Sequence, residues 1–346
     1  MNELAKFCRD LKKDFKPRNH DASEPVRCWS EKDVLNDKVV NAFVIIFKTR
    51  GCSWAFNSGC SMCGYFNDSH WKQVNDLDFL KQFETAMKNY SDESFIKIFN
   101  SGSFLDDKEI KPKLQKEILS SLFEKAEKVS IESRPEYITN KKLGEIKNIA
   151  HSKTFEIGIG LETSNDFVRN NSINKGFSFN DYQKAAMNMK KYGFKVKTYL
   201  LVKPLFLTEK ESINDSINSI KEIKKFADTI SLNPVNVQRN TVVEFLWKRR
   251  QYRPAWLWSV VEILREGKEI FGDNLIKCDI AGGGSVRGAH NCKLCDKKVI
   301  DAISSFSLNQ KTNILDDLDC ECKDKWFDQL DIENLTFGSL VDMNRT

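Results

Sequence analysis

No stretch of this sequence stays apolar long enough to cross a membrane. The longest uncharged apolar run, Val39 to Phe47, is already broken by Asn41, and a bilayer asks for about 20 such residues. No export signal opens the chain, so a cytoplasmic location is expected and a secreted disulfide framework is set aside. A strong excess of one charge is missing too. Lys and Arg number 54 against 49 Asp and Glu, a net +5, which permits a nucleic-acid partner without requiring one. The glycine run Gly282-Gly283-Gly284 has neither the Lys nor the Ser/Thr that must follow in a phosphate-binding P-loop.

Cysteine is what the sequence does have, ten in 346 residues. Three fall in one glycine-flanked stretch, Arg50-Gly-Cys-Ser-Trp-Ala-Phe-Asn-Ser-Gly-Cys-Ser-Met-Cys-Gly-Tyr65, as C-x7-C-x2-C. Cys52, Cys60 and Cys63 are one short of a closed zinc site, which takes four protein ligands. A [4Fe–4S] cluster usually takes four thiolates, so three leave one iron open to a cofactor or substrate. Gly51, Gly59 and Gly64 let the backbone turn around a bulky group.

From residue 43 the sequence alternates regularly. Apolar runs at Phe43–Phe47, Phe95–Phe99, Val129–Ile131, Phe155–Leu161, Val196–Val202 and Ile230–Val235 read as buried strands. Helical spacing separates them, as in Leu114, Ile118, Leu122 and in Ile213, Ile217, Ile220, the latter opened by a Thr208/Glu211 capping box. A last helix is expected from about Pro254, at a first-turn position, to Phe271. Six strand–helix units predict an α/β fold, a parallel sheet curved into a partial barrel. The expected domains are an N-terminal helical arm over 1–40, the barrel over 41–275, and a cysteine-rich extension over 276–346. In such barrels chemistry sits on loops at the carboxyl ends of the strands, and the three-cysteine loop follows the first of them.

Two further segments carry chemistry. Between 239 and 258, Arg239, Lys248, Arg249, Arg250 and Arg253 interleave with Phe245, Trp247, Tyr252, Trp256 and Trp258. Cations beside flat rings suit phosphates and unstacked bases; the other reading is a packed loop with solvated charges. The N-terminal Lys and Arg residues, from Lys6 to Arg18, form either a solvated helix face or a basic arm. In the tail, Cys292-x2-Cys295 and Cys320-x-Cys322 make a four-sulfur site, with Cys278 and His290 as competing ligands. Structural zinc is preferred there over a second iron–sulfur cluster.

The three-cysteine loop resembles that of the radical S-adenosylmethionine (SAM) superfamily, in the long-gap variant that includes the Elongator catalytic subunit. Several motifs extend the likeness: Asn100-Ser-Gly-Ser-Phe-Leu-Asp106, Glu132-Ser-Arg-Pro135, Gly160-Leu-Glu-Thr163, Arg253-Pro-Ala-Trp-Leu-Trp-Ser259 and Arg287-Gly-Ala-His-Asn-Cys-Lys-Leu-Cys-Asp296. Together, over about 40–326, they are similar to the archaeosine-biosynthesis radical SAM (RaSEA) family. The resemblance implies that SAM binds the open iron and contacts Ser101, Gly102, Ser103, Glu132, Arg134 and Glu162. Ser101-Gly102-Ser103 lacks the acid of the superfamily's Gly-Gly-Glu. It further implies a tRNA substrate bearing a lysine adduct of 7-cyano-7-deazaguanine at position 15. A partner enzyme, ArcS, installs the lysine, and an external donor supplies electrons. A SAM-derived radical abstracts hydrogen from the lysine moiety, and the C–N bond at its side-chain nitrogen then breaks to leave archaeosine. The alternatives are a radical SAM enzyme acting on another nucleoside or small molecule, and a tRNA-binding subunit with a structural cluster. No catalytic side chain is singled out.

Overall fold

The computed structural model describes residues 3–13, 15 and 21–336, except for the side chains of Asn334 and Thr336. Lys16 and Arg18 of the basic arm lie outside the described residues.

Eight strands form one sheet in strictly sequential order. They are β1 (Arg27–Leu35), β2 (Lys38–Ile46), β3 (Phe95–Phe99), β4 (Lys128–Glu132), β5 (Thr154–Glu162), β6 (Lys195–Val202), β7 (Thr229–Pro234) and β8 (Leu275–Cys278). β1 and β2 make an antiparallel hairpin; β2 to β8 are parallel. Six of the strands are those expected, with apolar residues on the outer face that the helices cover, Ile96 and Ile98 of β3 and Val129 and Ile131 of β4 among them. The helices lay apolar stripes against that face, Leu114, Ile118 and Leu122 among them. The Thr208/Glu211 capping box forms as expected at the head of Glu209–Ile223.

Three elements differ from expectation. The sheet ends in β8, at the start of the expected cysteine-rich extension, and it begins at Arg27, inside the segment expected to be a helical arm, which among the described residues is helical over Glu3–Asp10. β1 escaped notice because its inward face carries acids, Glu31 and Asp33, rather than apolar residues. Its two-residue turn was the available signal: Asn36 and Asp37 have φ of 50° and 59°, the left-handed pair that fits a hairpin's twist. The last barrel helix starts at Leu257, so Pro254 lies ahead of it and not in its first turn. The buried amides at its start are satisfied from elsewhere. Trp256 N–H donates to Glu209 at 2.8 Å and Leu257 N–H to Asn291 at 2.9 Å.

The sheet curls enough for a side chain to bridge its two edge strands. Lys277 of β8 reaches Asp33 of β1 at 2.6 Å. The barrel interior is polar, with Asp33, Lys97, Lys128, Ser130, Glu156, Lys197 and Ser231 all buried.

Candidate active site

The loop leaving β2 carries the three cysteines. Cys52 caps the short helix Ser53–Asn57, and Cys60 and Cys63 follow in a turn closed by Cys63 N–H to Cys60 O at 3.4 Å. The loop is clamped from three sides. After β5, Ser61 N–H donates to Ile173 O at 2.9 Å, the Asn174 amide donates to Gly59 O at 2.7 Å, and Trp54 Nε1–H donates to Asn174 O at 2.8 Å. After β7, Gln238 accepts from Gly64 N–H, and Asn67 donates to Arg239 O at 3.0 Å. From the N-terminal arm, Lys12 Nζ donates to Ser58 O at 2.7 Å. Gly59 permits this last contact: its φ is +83°, and a Cβ there would lie 1.9 Å from Lys12 Nζ.

The tip of β3 closes on the same loop. Gly102 lies so near Cys52 that an added Cβ would sit 2.6 Å from the Cys52 Cα. Ser103 is committed locally, its N–H donating to buried Glu109 at 2.7 Å and its hydroxyl accepting from Arg134 N–H at 3.0 Å. Ser101 hydroxyl donates to Tyr65 O at 3.2 Å. Arg134 donates to Lys175 O at 2.9 Å and to Glu136 at 2.6 Å, its guanidinium 5.3 Å from the Trp54 ring. Glu162 stands at a register shift of β5 with a φ of +70°, a bulge that turns its carboxylate to Lys175 at 2.5 Å. Glu132 lies lower on the barrel, at the register of Gly158, within electrostatic reach of Tyr199 and Lys197.

Burial, then the neighbouring thiol of Cys60, push the Cys63 thiol up to about 12. Burial and the Glu109 carboxylate raise that of Cys52. Such thiols become thiolates only beside positive charge. Lys12 and Lys175 feel the charge of Cys60, and Arg134 that of Cys52. Three soft donors ringed by three cations fit an iron–sulfur cluster held from one side. Lys12 belongs to the basic arm, Asn174 and Lys175 follow β5 and Gln238 follows β7; only folding brings the four together here.

The tail cysteines converge. Cys292, Cys295, Cys320 and Cys322 place their sulfurs within 4.8 Å of one another, with Cys292–Cys295 at 3.7 Å and both Cys292–Cys320 and Cys295–Cys322 at 3.6 Å. Four sulfurs at about 2.3 Å from one tetrahedral ion would stand roughly 3.8 Å apart. Trp258 Nε1–H and the Asn291 Nδ2 amide point at Cys322 and Cys295 at 3.3 and 3.4 Å, as outer partners of metal-bound sulfur do. Cys278 lies outside this group, its amide donating to Ser307 at 3.0 Å, and His290 Nδ1 meets Gly288 O at 2.8 Å.

The basic segment divides. Arg239, Lys248, Arg249 and Arg250 are exposed, and Arg239 lines a cleft of about 620 Å³ with Tyr65, Asn67, Gln238 and Arg287, among others. Arg253 is structural instead, donating to Pro254 O and His290 O at 2.8 Å each. The aromatics serve packing: Trp256 and Trp258 are 8% and 2% exposed, and Tyr252 hydroxyl donates to Lys203 O at 2.6 Å. A run of stacking platforms is therefore not what this segment presents.

No family model matches the sequence. It is 42% identical to the archaeosine synthase subunit beta of Methanosarcina acetivorans over 342 residues, 98% of this protein and 99% of that one. It is 39% identical to the archaeosine synthase subunit beta of Thermococcus kodakarensis over 305 residues, 86% of this protein and 94% of that one. Among solved structures it is similar to Elp3 of Methanocaldococcus infernus, with a TM-score of 0.48 and 18% identity, covering 67% of this protein and 59% of that one.

Proposed function

This protein belongs to the radical SAM family of archaeosine synthase subunit beta, and from that premise we propose that it cleaves the lysine C–N bond of a 7-deazaguanine–lysine adduct in tRNA. The observation that carries the reading is the three-thiol loop at the carboxyl end of β2, faced by Lys12, Arg134 and Lys175.

In this reading Cys52, Cys60 and Cys63 hold a [4Fe–4S] cluster through three of its irons. When bound, cluster and SAM together supply a reductively generated hydrogen-abstracting radical. The three cations offset the negative charge of cluster and thiolates. Ser101, Gly102 and Ser103 offer the ammonium of SAM a close backbone surface, Arg134 meets its carboxylate, and Glu162 takes a ribose hydroxyl. Glu132 lies on the path from SAM into the barrel. The clamps from Asn174 and Gln238 keep the loop rigid and exclude water, so a radical meets substrate rather than solvent. Exposed Arg239, Lys248, Arg249 and Arg250 grip the tRNA backbone, an ArcS-like enzyme supplies the adduct, and a separate reductant supplies the electron. The four tail sulfurs hold a structural zinc.

Cys60→Ala tests the assignment. Anaerobically reconstituted wild type should form 5′-deoxyadenosine from SAM and dithionite, while the variant should lose cluster iron and form none. A variant that keeps its full iron and still cleaves SAM removes the cluster from this loop.

A further inference from the structure

The interior of the barrel below this site is charged, and its ion pairs leave two groups over. Lys97 pairs with Glu31 at 2.6 Å and with Asp33. Lys277 pairs with Asp33 at 2.6 Å, and Lys128 with Glu156 at 2.7 Å. Lys197 projects from β6 into the same interior, 6% exposed, and no carboxylate lies within 4.0 Å of it among the described residues. Its ammonium rests only against the Tyr199 ring, 4.6 Å from the centroid. Glu132, on β4, is the other: a carboxylate with no ion-pair partner among the described residues, held by the Tyr199 hydroxyl. Neither group makes a direct ion pair, so each keeps hydrogen-bonding capacity that a ligand of opposite charge could take up.

The inward positions of β5 above Glu156 are glycines, and the Tyr199 ring packs into the room left at Gly158, where a Cβ would lie 2.7 Å from it. Glu132 and Tyr199 are only partly buried, and Asp279 and Asn233 stand open at neighbouring strand ends. The interior thus opens toward the cysteine loop. Burial, then the nearby Lys97, lower the pKa of Lys197, while Glu156, Asp33 and Glu132 counter them; burial raises that of Glu132. Each group would be relieved by an opposite charge.

We infer that Lys197 and Glu132, steadied by Tyr199, form the receptor for the α-amino acid end of the substrate, Lys197 taking the carboxylate and Glu132 the ammonium. The inference rests on the reading given under Proposed function. A lysine joined to the base through its side-chain nitrogen leaves that zwitterionic end free. Seating it in the barrel would hold the carbon beside the scissile C–N bond up toward SAM. SAM carries an amino acid end of its own. The largest electrostatic neighbours of Lys197 are Lys97, Glu156, Asp33 and Glu132, whereas Lys12, Arg134 and Lys175 are the cations turned to the cysteines. That division assigns Lys197 to the substrate.

The test compares adducts on full-length reconstituted enzyme. One tRNA carries the lysine adduct; a second carries 1,5-diaminopentane, the same skeleton without its carboxylate; a third carries 6-aminohexanoate, without its α-ammonium. Wild type should prefer lysine over the diamine in kcat/KM on the order of a hundredfold, the range for a charge-assisted contact. Lys197→Met should lower turnover of the lysine adduct and erase that preference to within about threefold, since nothing is left to read the carboxylate. Glu132→Gln should instead erase the preference for lysine over 6-aminohexanoate, so the proposal stays testable if one variant misfolds. A Lys197→Met enzyme that discriminates as wild type does overturns the inference. Weakened SAM binding with discrimination intact also overturns it, placing Lys197 with the methionine end of SAM. Turnover of none of the adducts by wild type overturns the underlying reading and this inference with it.

Discussion

A single carboxyl shows how the fold bends local chemistry. Asp215, on the helix behind the β5 tip, accepts from Thr163 Oγ1 at 2.8 Å, and burial pushes its carboxyl up to about 6 from 3.8. A raised acid means the folded state holds its proton longer than the unfolded polypeptide does, so stability falls as pH rises through the window from about 3.8 to about 6. Asp215→Asn removes this contribution. Between pH 5 and 7.5 wild type should lose on the order of 1 kcal/mol relative to Asp215→Asn, by the usual conversion of pKa shift to free energy. Urea unfolding at the two pH values checks it, and equal losses in both proteins would contradict it. At this scale the sequence announced only what is clustered. Cys52, Cys60 and Cys63 declared themselves by spacing, as did Cys292, Cys295, Cys320 and Cys322. Lys175 and Lys197 did not, because a lone lysine acquires its role from what packs around it.

Among elements, the strands with apolar faces were legible and β1 was not, since pairing of Glu31 and Asp33 with lysines across the barrel replaces apolar burial there. The segment after β7 was half legible. Its charge pattern marked the exposed Arg239, Lys248, Arg249 and Arg250, but the tryptophans beside them belong to the core, a distinction that periodicity cannot make. Arg249 lies over Phe245, 3.5 Å from the ring centroid, and Lys248 stands 3.3 Å from Glu244; both heads remain exposed. Lys248→Ala, Arg249→Ala and Arg250→Ala together should weaken tRNA binding and flatten its salt dependence, because each lost phosphate contact removes released counterions. SAM cleavage without tRNA should persist. Filter binding from low to high salt measures this, and an unchanged slope would move the tRNA contact elsewhere.

At the scale of the whole molecule, the curl of the sheet and the tail set one another. The tail buries Trp326 against the last barrel helix, its Nε1–H donating to Ser259 at 2.9 Å, and Gln329 accepts from Trp256 at 2.7 Å. The four-sulfur group brings Cys292 and Cys295 of that extension against Cys320 and Cys322. A metal there should contribute directly to folding. Cys292→Ala with Cys295→Ala should therefore lose one zinc per molecule and melt lower, while folded protein keeps its cluster iron; loss of iron with zinc retained would make the site a second cluster. No helix among the described residues is long and apolar enough to cross a membrane.

The central claim is one reaction at that mouth, and nucleoside mass spectrometry tests it most directly. Reconstituted protein is incubated anaerobically with SAM, reductant and tRNA carrying the lysine adduct, and the tRNA is then digested. The account predicts that the adduct is converted to archaeosine in step with 5′-deoxyadenosine. An adduct that survives intact while SAM is consumed would contradict it.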